Sequence, residues 1–379
     1  MLRSRASLVF ASGLAGTWMI CFLLPNSGVC AEWVLQRVAT PQDTTNWLDM
    51  VFDGNDTAYI AGSAGQVFVG GIGEWTAKAF SGYSNHYPGV AVSPQGEVGI
   101  ISGYGRNELY CRVDTTPPTE EPVYGFKYDA RGMRSFVWFG SSGQPMAVFT
   151  SPGSDNIRFA QKTATGWQTQ STSTIANLNP MEIIVTPGSS SDSPYIFCPQ
   201  ATEPGVHLVR PGISGHTTIL ARGSLCAAAT DITGQPLLLA KDFGASQDEL
   251  YLCTPGSPQW QAVPTGLFCV GDFYGGRRMA DLACLSDGSL AIAYWDTTVD
   301  KVFVAIGQLG DFEVQTISLS GLGRLGSLAL AVTSDDRPAV ALHFYDDRSL
   351  YYAEYVPEPA TMSLLAIGLG ALAMRRRTR

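Results

Sequence analysis

The sequence predicts an all-β fold, a seven-bladed β-propeller, from three observations. A unit of apolar runs recurs about every 46 residues. A turn rich in Gly and Asp separates the first two runs of each unit, and a lone outer-type run stands ahead of the first complete unit. The middle of the chain is short β-rich runs divided by Gly, Pro, Asp and Ser, with no long helical periodicity.

The turn and second run read DGNDTAYIAG from Asp53, PQGEVGIISG from Pro94, SGQPMAVFT from Ser142, TGQPLLLAK from Thr233, SDGSLAIAYW from Ser286 and SDDRPAVALHFY from Ser334. A further copy, IIVTPGSSSDSPYIFC from Ile183, has a stretched turn. Gly54, Gly96, Gly143, Gly234 and Gly288 are spaced 42, 47, 91 and 54 residues apart, the 91 counting as two periods. Tight hairpins need residues that accept positive φ, which Gly and Asp do. Third runs follow as QVFVGG, ELYCRV, NIRFAQ, VHLVRP, ELYLCT, KVFVAI and SLYYAE. Four strands in a period of about 40–50 residues is the pattern of a propeller blade. Seven copies predict seven blades, with six or eight as alternatives.

The fourth run reads EWTAKAF from Glu74, GWQTQST from Gly166, QWQAVPT from Gln259 and DFEVQTI from Asp311, with weaker versions near Val123 and Thr217. The seventh unit stops at Tyr355 without one, whereas EWVLQRVAT from Glu32 is a fourth run with no unit before it. A ring exposes two sheet edges unless the first strand completes the last blade. Closure by residues 32–39 is therefore expected, and an unrelated N-terminal strand is the alternative.

The two ends differ from this body. Arg3 and Arg5 precede an uncharged apolar stretch, Leu8 to Leu24, and Val29-Cys30-Ala31 offers small residues for cleavage. That pattern predicts a signal peptide over 1–31; a retained anchor or a lipoprotein at Cys30 are the alternatives. At the far end Ala360 to Met374 is apolar and reaches only about 22 Å as a helix, short of a bilayer core of about 30 Å. Arginines 375, 376, 377 and 379 would hold its C-terminal side in the cytoplasm.

Pro357-Glu358-Pro359, this short hydrophobic helix and the cluster led by Arg375, Arg376 and Arg377 together resemble the PEP-CTERM sorting signal. The resemblance covers residues 357–379. It implies recognition by a membrane exosortase in Gram-negative bacteria that make exopolysaccharide, at least transient anchoring in the inner membrane, and residence at the envelope or in the extracellular matrix. It concerns handling and implies nothing about activity.

Setting both ends aside leaves residues 32–356, with 18 basic residues against 32 acidic ones. So acidic a domain is a poor partner for nucleic acid, whose affinity rests on phosphate attraction. Its six cysteines (Cys111, Cys198, Cys226, Cys253, Cys269 and Cys284) sit mostly in apolar runs, which predicts buried thiols over a disulfide framework.

Most catalytic signatures fail on context. GLGRLG at 321–326 matches a dinucleotide fingerprint, but a strand-like run follows it where that chemistry needs a helix. His86, His207, His216 and His343 lack metal spacing, no GxSxG elbow occurs, and the turns lack the Asp box of sialidase-like propellers. No metal, cofactor or catalytic residue is therefore assigned.

One constellation remains. In a propeller the fourth-to-first and second-to-third connections share one end of the axis. Arg134, Arg222, Arg277, Arg278 and Arg324 lie just before first runs, and Trp295-Asp296 and Tyr345-Asp346 follow second runs. Guanidinium forks suit carboxylate or sulfate groups. The expected ligand set is Arg134, Arg222, Arg277, Arg278, Arg324, Trp295 and Asp296, meeting an acidic exopolysaccharide or a surface protein. Pairing of these arginines with loop acids is the structural alternative. The favoured function is a non-enzymatic binding module; the alternative is a carbohydrate-active enzyme, which needs two carboxylates about 5–10 Å apart.

Overall fold

The computed structural model describes residues 32–39, 47–62, 65–80, 87–127, 134–150, 156–174, 183–187, 193–199, 206–211, 217–220, 224–241, 250–254, 261–262, 279–296, 299–308, 310–319 and 321–356. The predicted signal segment and the tail lie outside them. Seven four-stranded antiparallel sheets follow one another. Blade 1 holds β2 (Leu48–Phe52), β3 (Ala58–Gly62), β4 (Gln66–Gly70) and β5 (Trp75–Ala79). Blade 2 holds β6 (Gly89–Val92), β7 (Val98–Tyr104), β8 (Asn107–Arg112) and β9 (Thr119–Gly125). Blade 3 holds β10 (Ser135–Phe139), β11 (Pro145–Thr150), β12 (Asn156–Thr163) and β13 (Gly166–Thr174). Blade 4 holds β14 (Ile184–Thr186), β15 (Tyr195–Pro199), β16 (Val206–Val209) and β17 (Thr217–Leu220). Blade 5 holds β18 (Ser224–Thr230), β19 (Pro236–Lys241), β20 (Leu250–Cys253) and β21 (Gln261–Ala262). Blade 6 holds β22 (Ala280–Cys284), β23 (Leu290–Asp296), β24 (Lys301–Gln308) and β25 (Asp311–Ile317). Blade 7 holds β26 (Leu325–Val332), β27 (Pro338–Phe344), β28 (Leu350–Val356) and, as its outer strand, β1 (Glu32–Ala39). The chain is a seven-bladed propeller closed by its first strand.

Side chains alternate across a strand, so each blade feeds two neighbours. Met50, Ile60 and Phe68 share one row of blade 1 and join Ala329, Ala341 and Tyr352 of blade 7. Tyr59, Ala61 and Val67, on the opposite side, join Val90, Val98, Ile100 and Cys111 of blade 2. Because both sides are covered, the inner strands read as unbroken apolar runs, and AYIAG is buried at every position. The same rule accounts for PMAVFT and PAVALHF, also buried throughout. Among the described cysteines all five are free thiols, and Cys111, Cys198, Cys226 and Cys253 are buried in these runs.

The first hairpin turns share one geometry, and it corrects one expectation. The residue at positive φ is Gly96, Gly143, Gly234 or Gly288 in four blades, but Asp56 (φ 58°) in blade 1 and Asp336 (φ 60°) in blade 7. Gly54 sits two residues earlier and is not the strained position. A non-glycine residue there costs about 1–2 kcal/mol. The aspartates offset that by reaching between blades. Ser286 N donates to Asp336 Oδ1 at 2.8 Å, with Ser286 Oγ on the other oxygen. Ser334 N and Oγ donate to Asp56 at 2.7 and 3.1 Å. The two substitutions thus strap the closure blade to its neighbour on each side.

The closing strand is held on both flanks too. Trp33 packs 5.7 Å from Tyr355 and its Nε1 donates to Gln315 Oε1 of blade 6 at 2.9 Å. Gln36 Oε1 accepts Gly73 N of blade 1 at 2.8 Å. We expect Trp33→Ala to lower the urea midpoint by the equivalent of about 2–3 kcal/mol, and Trp33→Phe, which keeps the ring contact, by about 1 kcal/mol. Equal midpoints for all three proteins would contradict this role.

Candidate functional site at the loop end of the axis

The inner strands begin at the end of the axis where the fourth-to-first and second-to-third connections lie. Trp47, Tyr87 and Arg134 stand at or next to the starts of β2, β6 and β10. The Arg134 guanidinium lies 3.6 Å over the Trp47 ring, and Trp47 meets Tyr87 edge-on at 6.2 Å. Arg134 Nη1 donates to the Ile183 carbonyl at 2.8 Å, and Ser135 N donates to the Tyr87 carbonyl at 3.1 Å. One arginine thereby joins four blades. Arg134 is only 3% exposed, so it forms the floor of this end and not its rim. A guanidinium is suited to this place because it stacks through its plane while donating from its edge.

Beside it lies a buried acid. Ser135 Oγ donates to Glu108 Oε1, and Glu108 Oε2 has no hydrogen-bond partner. Burial pushes the Glu108 carboxyl up to about 8, against the smaller opposing pull of the Ser135 hydroxyl. Glu108 pairs with Gly103 on β7. Counted from the positive-φ turn residue, the same register position holds Ile157, Leu250, Val302 and Leu350 in other blades, all buried apolar side chains. An acid thus stands where the repeat stores an aliphatic side chain.

Around the end, Trp295 Nε1 donates to Asp300 Oδ1 at 3.1 Å, and Trp295 and Asp296 are both buried, Asp296 fully. Arg324 is exposed, and its backbone N donates to Asp346 Oδ2 at 2.9 Å. Of the expected ligand set the structure therefore puts Arg134, Trp295 and Asp296 inside and Arg324 at the surface. Arg222, Arg277 and Arg278 lie outside the described residues. Sequence reading missed Trp47, Tyr87 and Glu108. The first two carried a signal, an aromatic ahead of the innermost run in successive blades. Glu108 did not, because its run aligns by eye with the exposed start Lys301. The two-residue Gly105-Arg106 turn, with Tyr104 opposite Asn107, sets it one place deeper.

Among the described residues the hairpin end is rich in aspartate. The hairpin turns carry Asp53, Asp56, Asp231, Asp287, Asp335 and Asp336; Arg337 there is paired with Glu354 at 2.5 Å. At the loop end Arg106, Arg324 and Arg348 are exposed. Of its described acids, Asp300 accepts from Trp295, Asp346 from the Arg324 amide and Asp347 from Ser349. The hairpin end opens a cavity of about 790 Å³ among the turns of blades 7, 1 and 2, with Phe139 of blade 3.

Fold and site define the class, an all-β seven-bladed propeller with a tied, cation-bearing loop end. Residues 356–377 match the PEP-CTERM protein-sorting motif. The chain is thus an exported, envelope-associated propeller whose sorting motif implies processing by exosortase. Pro357, Glu358, Pro359, Arg375, Arg376 and Arg377 all fall within the matched segment. Among solved structures it is similar to a catalytically inactive virginiamycin B lyase from Staphylococcus aureus crystallised with quinupristin, with TM-score 0.57 and 11% identity over 86% of this chain and 100% of that one. It is also similar to a polysaccharide lyase, with TM-score 0.50 and 9% identity over 84% of this chain and 91% of that one. At these identities the likeness shows the fold alone. No curated protein matches the chain in sequence.

The buried acid gives a pH dependence with a definite sign. Its folded value lies above its unfolded one, so its contribution is complete below the ordinary carboxylate range and is lost as pH rises toward about 8. The slope amounts to about 1.4 kcal/mol per pH unit. We expect Glu108→Gln to flatten the stability profile between pH 5 and 8 and to exceed the wild type at alkaline pH. Parallel profiles for the two proteins would overturn the assignment.

Proposed function

We propose that this propeller is a non-enzymatic binding module of the envelope or extracellular matrix, and that its loop end takes an acidic exopolysaccharide. The observation that carries this reading is the exposure of Arg106 and Arg324 among the described residues of the loop end, while the described hairpin turns collect aspartates. Arg222, Arg277, Arg278 and Arg324 are the proposed contacts with ligand carboxylates. Arg134, clamped between Trp47 and the Ile183 carbonyl, forms the floor of this end. Trp295 and Asp296 shape the blade 6 side from below.

A binding role is favoured over turnover because two inner-strand aspartates are committed to structure. Asp281 accepts the Leu282 and Leu330 amides at 2.9 and 2.7 Å, and Asp49 accepts the Val90 amide at 2.9 Å. These bonds fasten one inner strand to the next and leave little of either carboxylate for acid–base work.

The test is retention of the purified full chain on an immobilised polyuronate against neutral dextran. We expect retention on the polyuronate alone, weakening steeply as salt rises through the range where surface charges are screened. Equal behaviour on both matrices, or retention indifferent to salt, would refute the reading.

A further inference from the structure

The first and last strands of the propeller meet at its hairpin end. In β28 Leu350 pairs with His343 and Glu354 with Ala339, so the strand runs from the loop end toward the hairpin end. Ala339 follows closely on the first hairpin turn of blade 7, which Thr333 N closes on the Arg337 carbonyl at 3.0 Å. Trp33, the second residue of β1, packs 5.7 Å from Tyr355, so the body begins where it finishes. This end of β28 is pinned. Arg337 Nη1 donates to Glu354 Oε1 at 2.5 Å, and the Tyr352 hydroxyl donates to Glu354 Oε2 at 2.6 Å. Gln315 Nε2 donates to the Tyr355 hydroxyl oxygen at 3.3 Å.

Almost no chain separates this point from the apolar tail. The sorting motif matches from residue 356, the last residue of β28. Pro357, Glu358 and Pro359 alone stand between the strand and the uncharged apolar run from Ala360 to Met374, which Arg375, Arg376 and Arg377 follow. Such a run partitions into a bilayer, and the arginines stay in the aqueous phase beyond it. From Val356 to Ala360 the chain spans at most about 14 Å, and its prolines favour an extended backbone. The two ends of a blade are farther apart than that, since a strand as long as β27, with 7 residues, spans about 23 Å.

We propose that the hairpin end is the surface this protein lays against a membrane, and that the loop end faces away from it. The occupant is the bilayer surface itself, reached through the short tether. Ile72, in the third-to-fourth turn of blade 1, is 47% exposed at this end. Its neighbour Gly73 is tied to Gln36 of the closing strand, so an apolar side chain stands beside β1 where a lipid interface can take it. The turn aspartates repel anionic headgroups, so the tail and not surface charge holds the body in place. This orientation goes beyond the binding role proposed above and does not depend on it.

The experiment uses the full chain in phosphatidylcholine vesicles that carry an acceptor dye on a small fraction of headgroups. A donor dye is attached through a ketone-bearing residue that replaces either Ile72 or Val299. Val299 is the matched control, 46% exposed in the second-to-third connection of blade 6 at the loop end. We expect energy transfer from position 72 to exceed that from 299 by about two-fold or more, because a strand length separates the two ends. Salt should leave the difference unchanged. Flexible Gly/Ser segments of about 30 residues inserted after Ala31 and after Val356 should shrink it, because a long coil no longer fixes the orientation. Equal transfer from the two positions in a vesicle-bound chain, or more from 299, overturns the proposal. A chain that stays free of the vesicles overturns it as well, by removing the tether. Either result leaves the polyuronate reading standing, since retention on polyuronate is measured without lipid.

Discussion

Everything in this molecule depends on one pairing, β1 against β28. Without it blade 7 is three strands with an open edge, and the first and last sheets meet as two ragged flanks. A propeller has no single central core. Its apolar contacts are divided among the interfaces between neighbouring blades, so an unclosed ring loses cover at one interface and support at the next. The closing strand therefore carries more than its own length suggests. Trp33 and Leu35 pack with the cluster of blades 5 to 7, while Val38 and Ala39 pack with the cluster shared by blades 7 and 1.

The polar ties reinforce the same seam. In the first hairpin turns an aspartate takes the left-handed region at Asp56 and Asp336, in the two turns that strap blade 7 to the blades on either side of it. In blades 2, 3, 5 and 6 glycine fills that position without strain. The inner strands repeat this economy with Asp49 and Asp281, each capping an amide of the next blade. At the loop end Arg134 does for blades 1 to 4 what the aspartate straps do for blades 6, 7 and 1. Local conformational cost is accepted where it fastens neighbours together.

Much of this was legible in the sequence, for physical reasons. Blade number and closure follow from a repeat whose strands are covered on both sides, so that their apolar runs are uninterrupted and easy to count. The outer run at Glu32 stands out because it has no unit of its own. What escaped reading depends on register or on side-chain direction. Gly54 looks like the turn residue, yet the chain turns at Asp56, because an aspartate accepts positive φ when it gains a partner. Glu108 looks solvated, and a two-residue turn buries it. Arg134 looks like rim, yet the indole of Trp47 and the carbonyl of Ile183 draw it inward.

In this exported, envelope-associated propeller the closing strand holds the ring shut. The claim beneath all of it is that β1 is a permanent member of blade 7. Hydrogen exchange followed by mass spectrometry on the full chain reads that membership strand by strand. The expected result is that Leu350–Val356 exchanges as slowly as Pro338–Phe344, the strand between two partners. Exchange of Leu350–Val356 at the pace of the outer strand Asp311–Ile317 would mean that its far edge is open and the ring is not shut.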